Sequence, residues 1–304
     1  MSVPHAKVIV NPAAGNHSTS RKWPRISKQL KEIGLSFDYE YAEGTGHAIE
    51  LAKTAASSGY RYFIAIGGDG TLNEVANGIL RSNGSDSTTL GIVGTGTANC
   101  FVRSVGIPRN YINACSQLTS PRRLLIDVGV VEYKSGGRPM QRYFLNTAGV
   151  GFDATVVEAA QRLPKYFGGT TPYVVGVPMS LLRYRNKLAT LSLQDRTETT
   201  RIFGVVVANG RYYANGMLIA PQAELSDGLL DVVIVGDIDK FDVLKMLPIT
   251  YNGSHLEHSK ISLEKVIDIT IESPEQILLH VDGELLGETS ASFRLVPSAL
   301  SIVV

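Results

Sequence analysis

The sequence predicts an α/β domain with a parallel sheet, followed by a second domain of antiparallel strands. Three observations carry this expectation. The chain has 304 residues, more than a single hydrophobic core commonly holds, so two domains are expected. Up to about residue 120, short apolar runs alternate with segments of helical period. From Leu124 the runs are short, rich in β-branched residues and divided by turn residues, the texture of an antiparallel sandwich or barrel.

Taken in order, Lys7–Val10 reads as a core strand, and a helix follows between Thr19 and Ile33. Phe37–Tyr41 alternates as a half-buried strand does. His47–Ser58 places Ile49, Leu51, Ala52, Ala55 and Ala56 at helical spacing. Arg61–Ile66 is an apolar strand ending at Gly67, and Leu72–Leu80 sets Leu72, Val75, Ala76, Ile79 and Leu80 along one stripe. Leu90–Val93 is a further strand. Ser120-Pro121-Arg122-Arg123 breaks the pattern, so the domains are expected at 1–121 and 122–304, the last strand being a candidate to return to the first. The expected strands beyond it are Leu124–Tyr133, Tyr143–Thr147, Leu188–Leu193, Ile202–Ala208, Leu230–Val235, Val266–Ile271, Ile277–Val281 and Ser292–Val296. Helices are expected near Ala154–Arg162 and Lys240–Leu247.

Composition narrows the function. Net charge is +1 and charged residues make up 19%, so no global field points to nucleic acid. Cys100 and Cys115 are the only cysteines, too far apart for a CxxC pattern, which fits a reducing cytoplasmic setting. No apolar run approaches the roughly 20 residues that span a bilayer, so any membrane contact is expected to be peripheral. Between Ala159 and Gln194 the basic residues are Arg162, Lys165, Arg183, Arg185 and Lys187, without an acid. Tyr166, Phe167, Tyr173, Val174, Val175, Leu181, Leu182 and Tyr184 flank them. Such a stretch suits an anionic membrane surface, unless its apolar members are core.

Three glycine-rich turns follow expected strands: VNPAAG at Val10–Gly15, GGDGT at Gly67–Thr71 and GTGTAN at Gly94–Asn99. Glycine lets backbone amides approach a ligand, and the helix that comes next favours an anion, so phosphate is the natural occupant. A turn that merely reverses the chain has the same glycines. Asp69 sharpens the reading, because an acid beside phosphate needs a cation, a water or a positioning role. Three such loops at the carboxyl ends of strands are harder to dismiss, since ligands of open parallel sheets bind at that edge.

With Asp69 and Thr71 in place, GGDGTLNEVANG (Gly67–Gly78) resembles the nucleotide-binding signature of the diacylglycerol kinases and related lipid kinases. GGDGT alone also marks NAD kinases, and a related run occurs in phosphofructokinases. VNPAAG and GTGTAN are similar to two further loops of the lipid-kinase family, and ANGMLIAPQAELSDGLLDVVIV (Ala214–Val235) and HVDGELLG (His280–Gly287) to two segments of its second domain. The resemblance implies an α/β ATP-binding domain and a β-sandwich. It also implies ATP contacts at Asn11, Pro12, Gly15, Thr45, Gly67, Gly68, Asp69, Gly70, Thr71, Asn73 and Thr97. Mg2+ would be held by Asp227 with backbone oxygens of Glu224 and Leu229. Glu284 would accept the hydroxyl proton, with Asp282 as its orienting partner or alternate base.

Taken without the resemblance, Ser226-Asp227-Gly228 is a turn before a buried strand, and Asp282-Gly283 a hairpin corner. His255 and His258 stand three apart with no third ligand evident, and no metal is assigned there. Cys100 stands where many members carry Asp, which puts in doubt any network relying on that carboxylate. The expected activity is phosphoryl transfer from ATP to diacylglycerol or a related lipid alcohol, by a cytoplasmic, peripherally membrane-associated protein. A homo-oligomer is left open. Two alternatives remain, an NAD kinase-like enzyme and a nucleotide-binding regulatory protein without turnover.

Overall fold

Strands buried on both sides read as unbroken apolar runs, and AKVIV (Ala6–Val10) and YFIAIG (Tyr62–Gly67) are both buried along their whole length. The computed structural model describes residues 4–82, 87–162, 171–194 and 196–304, with the side chains of 171–175 excepted. The chain divides into unit 1, Met1–Asp127 with Pro297–Val304, and unit 2, Val128–Val296.

In unit 1 the order is β1 (Ala6–Val10), α1 (Ala14–Glu32), β2 (Phe37–Tyr41), α2 (His47–Ser57), β3 (Tyr62–Gly67), α3 (Asp69–Leu80), β4 (Thr89–Gly94), α4 (Cys100–Ser104) and α5 (Tyr111–Gln117). β4, β3, β1 and β2 lie side by side, all parallel. Ser301 and Ile302 pair with Thr89 and Leu90 on the outer edge of β4, again parallel. The helices bury the stripes their period predicts, Ile49, Ala52 and Ala56 on α2 and Leu72, Val75 and Ile79 on α3.

β5 (Arg123–Ser135) carries the chain into unit 2, where β6 (Arg138–Phe144), β7 (Thr147–Gly151), α6 (Phe152–Arg162), α7 (Thr171–Arg183), β8 (Lys187–Leu193), β9 (Arg196–Ile202), β10 (Gly204–Ala208), β11 (Tyr212–Tyr213), β12 (Met217–Leu218) and β13 (Leu230–Val235) succeed one another. Then come α8 (Lys240–Ile249), a 3-10 turn at Ser254–Glu257, β14 (Ile261–Val266), β15 (Asp268–Glu272), β16 (Leu278–Val281) and β17 (Glu284–Val303), whose end returns to unit 1. β14, β13, β10, β7, β16 and β17 form an antiparallel series, and β15, β8 and β9 continue from β17. Alternation along β10 shows the layering. Val205 and Val207 share a core with Leu191, Ile269 and Phe293, whereas Val206 and Ala208 pack with Phe152, Leu181, Val243 and Met246 of the helices. Unit 2 is thus an antiparallel β-sandwich with helices on one outer face.

Some elements differ from expectation. Tyr143–Thr147 is not one strand, because β6 ends at Phe144 and Leu145-Asn146 turns into β7. Val266–Ile271 is interrupted at the exposed Ile267. β9 was not anticipated. Among the described residues it pairs with β8 alone, and an edge strand mostly open to water carries no apolar period. α7 was missed because Gly176, Pro178 and its valines argue against a helix. In the basic stretch, Leu181 and Tyr184 are core, Arg162 is paired with Glu158 at 2.7 Å and Lys187 with Glu275 at 3.1 Å. Lys165, Tyr166, Phe167 and the side chains of Tyr173, Val174 and Val175 lie outside the described residues. Arg183 and Arg185 remain exposed.

Candidate active site

Because β1 to β4 are parallel, the loops after them leave from one edge. The path from β1 to β2 and back to β3 reverses the strand order between β1 and β3, where such sheets take ligands. Asn11 stands there, directly after β1. Its Nδ2 donates to Thr71 Oγ1 at 2.9 Å and its Oδ1 accepts the Ala13 N–H at 3.1 Å. Gly15, Asn16 and His17 come next, in the left-handed region. Ser18 Oγ then donates to the Thr95 carbonyl at 2.8 Å, and the buried hydroxyls of Thr19 and Thr95 are 2.5 Å apart. The loops after β3 and β4 touch directly, since a Cβ on Gly96 would stand 2.4 Å from Gly68 Cα. Only glycine permits that approach. Glu74 of α3 accepts the Gly46 and Ala48 N–H groups at 2.8 and 3.2 Å, fastening the loop that carries Thr45.

Asp69 grips the backbone of the neighbouring loop. Its carboxylate accepts the N–H groups of Cys100 and Phe101, each at 3.0 Å, and so supplies the start of α4 with the acceptors that its own N-cap residue, Asn99, does not. Asn99 donates Nδ2 to the Gly96 carbonyl at 3.0 Å, while its buried Oδ1 has no partner. Pro12, Gly15, Gly67, Gly68 and Gly70 line these loops, and Thr97 and Thr45 are exposed on them. Asn73 is turned inward instead. It is 2% exposed and its Oδ1 accepts from Asn77 Nδ2 at 3.1 Å.

In unit 2 the Asp282-Gly283 corner joins β16 to β17 with φ of +46° and +85°, the geometry of a tight two-residue hairpin. The Asp282 carboxylate accepts three backbone N–H groups, from Leu145 at 3.0 Å, Asn146 at 3.2 Å and Thr147 at 2.9 Å. Its own N–H donates to the Thr147 carbonyl at 2.8 Å. Glu284 is held differently. Its Oε2 receives Arg142 Nη2 at 2.5 Å, and its side chain is 34% exposed against 8% for Arg142. One strand back, His280 Nε2 lies 3.0 Å from Asp153 Oδ2, and both side chains are largely buried.

At the Ser226–Leu229 turn a lysine stands beside the acids. Lys265 Nζ lies 2.9 Å from Asp227 Oδ2 and 3.3 Å from Asp231 Oδ2. Burial raises the Asp231 carboxyl above its ordinary value, against the opposing pull of Lys265. Burial also works against the Lys265 charge, but the two carboxylates outweigh it and hold that ammonium above its ordinary value. Glu224 is exposed, and among the described residues no three His, Cys, Asp or Glu side chains come together as a metal site. Of the donors expected for Mg2+, the Asp227 carboxylate is thus engaged with Lys265, and those of Glu224 and Leu229 are backbone oxygens.

His255 and His258 serve separate contacts. His255 is buried, and its Nε2–H donates to the Ile219 carbonyl at 3.1 Å. His258 Nδ1 accepts the Lys260 N–H at 3.1 Å. Both cysteines are buried and neither forms a disulfide, and burial pushes the Cys115 thiol up to about 11.

Residues 5–131 match the diacylglycerol kinase catalytic domain, and residues 146–304 match the YegS C-terminal NAD kinase beta sandwich-like domain. The chain belongs to the diacylglycerol kinase catalytic-domain family. A diacylglycerol kinase of Staphylococcus carnosus (strain TM300) is 27% identical over 95% of this chain and 91% of its own. YtlR of Bacillus subtilis (strain 168), named as a candidate lipid kinase, is 30% identical over 98% of this chain and 99% of its own. A crystal structure of a candidate diacylglycerol kinase from Bacillus anthracis str. Sterne shares the fold, with a TM-score of 0.80 at 22% identity, over 98% of this chain and 94% of that one. Membership in the diacylglycerol kinase family makes the chain a kinase, with ATP implied as the phosphoryl donor. No helix among the described residues is long and apolar enough to cross a membrane.

In this family member, sequence reasoning passed over Glu74, Arg142, Lys265 and the Asp153–His280 pair. Glu74 lay inside the quoted signature, and its spacing from Asp69 carried no chemical cue. Arg142 is a lone cation on a strand, and its partner is distant in sequence.

Proposed function

We propose that this kinase transfers the γ-phosphoryl group of ATP to the hydroxyl of diacylglycerol or a related lipid alcohol, giving phosphatidate or an analogous phospholipid. The names of the relatives and the match to both family domains support that substrate class. In this reading the glycine loops of unit 1 hold the triphosphate through backbone N–H groups, and unit 2 takes the lipid at a membrane surface. The hydroxyl oxygen attacks the γ-phosphorus, the bond to the β–γ bridging oxygen breaks, ADP leaves and the hydroxyl proton passes to Glu284.

The observation that carries the reading is the state of Glu284. It is the acid of the Asp282–Glu284 corner whose carboxylate is oriented by a side chain and reaches solvent, whereas Asp282 is spent on three amides. Asp282 then acts as a positioning residue. No step is routed through a metal at Asp227. The test is turnover with ATP, in magnesium-containing buffer, on a panel of dispersed diacylglycerols and related lipid alcohols, with NAD as the competing acceptor. Lipid phosphorylation with NAD inert is the expected result. Phosphorylation of NAD alone would replace the reading, and tight ATP binding without turnover on any acceptor would make the protein a nucleotide-binding regulator.

A further inference from the structure

Helix α8 is apolar on both sides. Val243 and Met246 face the core, yet Phe241, Leu244, Pro248 and Ile249 point outward, with Phe241 68% and Leu244 51% exposed. A helix apolar all round is normally buried all round. α7 repeats the arrangement, burying Leu181 while Met179 and Leu182 stand out, Leu182 at 78% exposure. The two helices pack on the same core, and Lys240 Nζ of α8 donates to the Leu182 carbonyl of α7 at 2.7 Å. Six of the eleven large apolar side chains exposed among the described residues, Met179, Leu182, Phe241, Leu244, Ile249 and Tyr251, belong to α7, α8 and the turn just after it. Scattered exposed apolar groups need no explanation, but a concentration of this kind does.

The charges on these segments indicate what covers the face. Arg183 and Arg185 are exposed at the end of α7, and Lys245 lies over the Phe241 ring at 4.4 Å from its centroid. The acids of α8 and of the segment leading into it are engaged with their own surroundings. Asp237 accepts Asn186 Nδ2 at 2.6 Å, Asp239 caps α8 by accepting the Phe241 and Asp242 N–H groups, and Asp242 is paired with Lys245 at 3.1 Å. We propose that the outer faces of α7 and α8 dock the chain on the anionic leaflet of a bilayer. The apolar side chains enter the interface and the arginines stay at headgroup level, the two signals that stable interfacial binding requires. A second copy of the chain would need free acids on the same helices to meet those arginines, and α7 has none while Asp239, capping α8, and Asp242 on it are already held. The inference deepens the lipid-kinase reading, on which it rests for its purpose.

The experiment compares wild type with Leu182→Ser/Phe241→Ser/Leu244→Ser and with Arg183→Gln/Arg185→Gln, all at exposed positions, with melting curves to confirm folding. Co-sedimentation with phosphatidylglycerol–phosphatidylcholine vesicles is read without reference to activity. Partition should fall by ~10-fold or more in the serine variant. In the glutamine variant it should fall several-fold at low salt, with a difference that closes as salt is raised. Turnover on vesicle-borne diacylglycerol should fall with it, and turnover on a short-chain soluble diacylglycerol should hold. Unchanged partition of the serine variant overturns the proposal. If that variant instead loses a dimer in sedimentation velocity while partition is unchanged, a second copy covers the face and the proposal is equally overturned. Loss of partition in an enzyme that phosphorylates no lipid alcohol upholds the docking face and removes the substrate reading.

Discussion

Asp69 and Asp282 look interchangeable in the sequence, each coming after an apolar strand and preceding a glycine. In the structure each carboxylate grips the backbone of a neighbouring loop, Asp69 through two N–H groups and Asp282 through three. The difference lies on the carboxyl side of each acid. After Asp69 the chain enters α3, and the nearest consequence is the placement of a second glycine loop. After Asp282 it turns in two residues and presents Glu284, which is held by Arg142 and partly open to water. An acid inside a glycine turn is thus a fastening in both places, and only after Asp282 does a second acid follow closely and reach solvent.

The largest effect expected on that distinction is from Glu284→Gln. Turnover should fall about 10²-fold to 10⁴-fold, the range of general-base assistance, with ATP affinity and melting temperature close to wild type. An equal loss of ATP affinity would make Glu284 a binding residue and erase the contrast. Next comes stability. Asp282→Ala strands three N–H groups that had a charged acceptor and should lower unfolding free energy by about 2–4 kcal/mol in urea titrations, while Asp69→Ala strands two and should cost about 1–3 kcal/mol. An unchanged urea midpoint in either variant would show that its carboxylate is not a fastening.

The smallest effect concerns a buried polar group that belongs to neither turn. Burial lowers the His255 imidazole below its ordinary value of 6.5, only partly offset by the Ile219 carbonyl. The unfolded chain therefore takes up a proton that the folded chain resists. The stability this gives is present above pH 6.5 and is lost as pH falls below that value towards the folded-state pKa. Comparing wild type with His255→Gln from neutral to mildly acidic pH should reveal a slope in melting temperature that the variant lacks. Equal slopes would remove His255 from the account.

The fold was legible where period and burial agree. β1, β3 and β13 are wholly or almost wholly buried and read as apolar runs, and α2 and α3 show their stripes. Edge elements were not, because β9 and the start of β6 face water and carry no pattern. The glycine loops were legible as a group, since close approach of backbones, as at Gly68 and Gly96, dictates residue type locally. The partners were not. Arg142 reaches Glu284 and Lys265 reaches Asp227 across long stretches of chain, and nothing at either position alone announces the other. Asn73, inside the signature, turned out to face Asn77, because helical phase and not motif membership decides where a side chain points.

The pairing of Ser301 and Ile302 with β4 sets an order of assembly. Residues of unit 1 emerge from the ribosome first, but the outer edge of β4 stays open until all of unit 2 has been made and Pro297–Val304 can return. Leu300, Ile302 and Val303 are each no more than 2% exposed, so this closing strand also completes the apolar packing there. An open parallel edge is a template for pairing with another chain. Aggregation of nascent or clipped protein is therefore expected to start at β4, and a tag or cut placed after Val296 would act on the first part of the molecule to be synthesised.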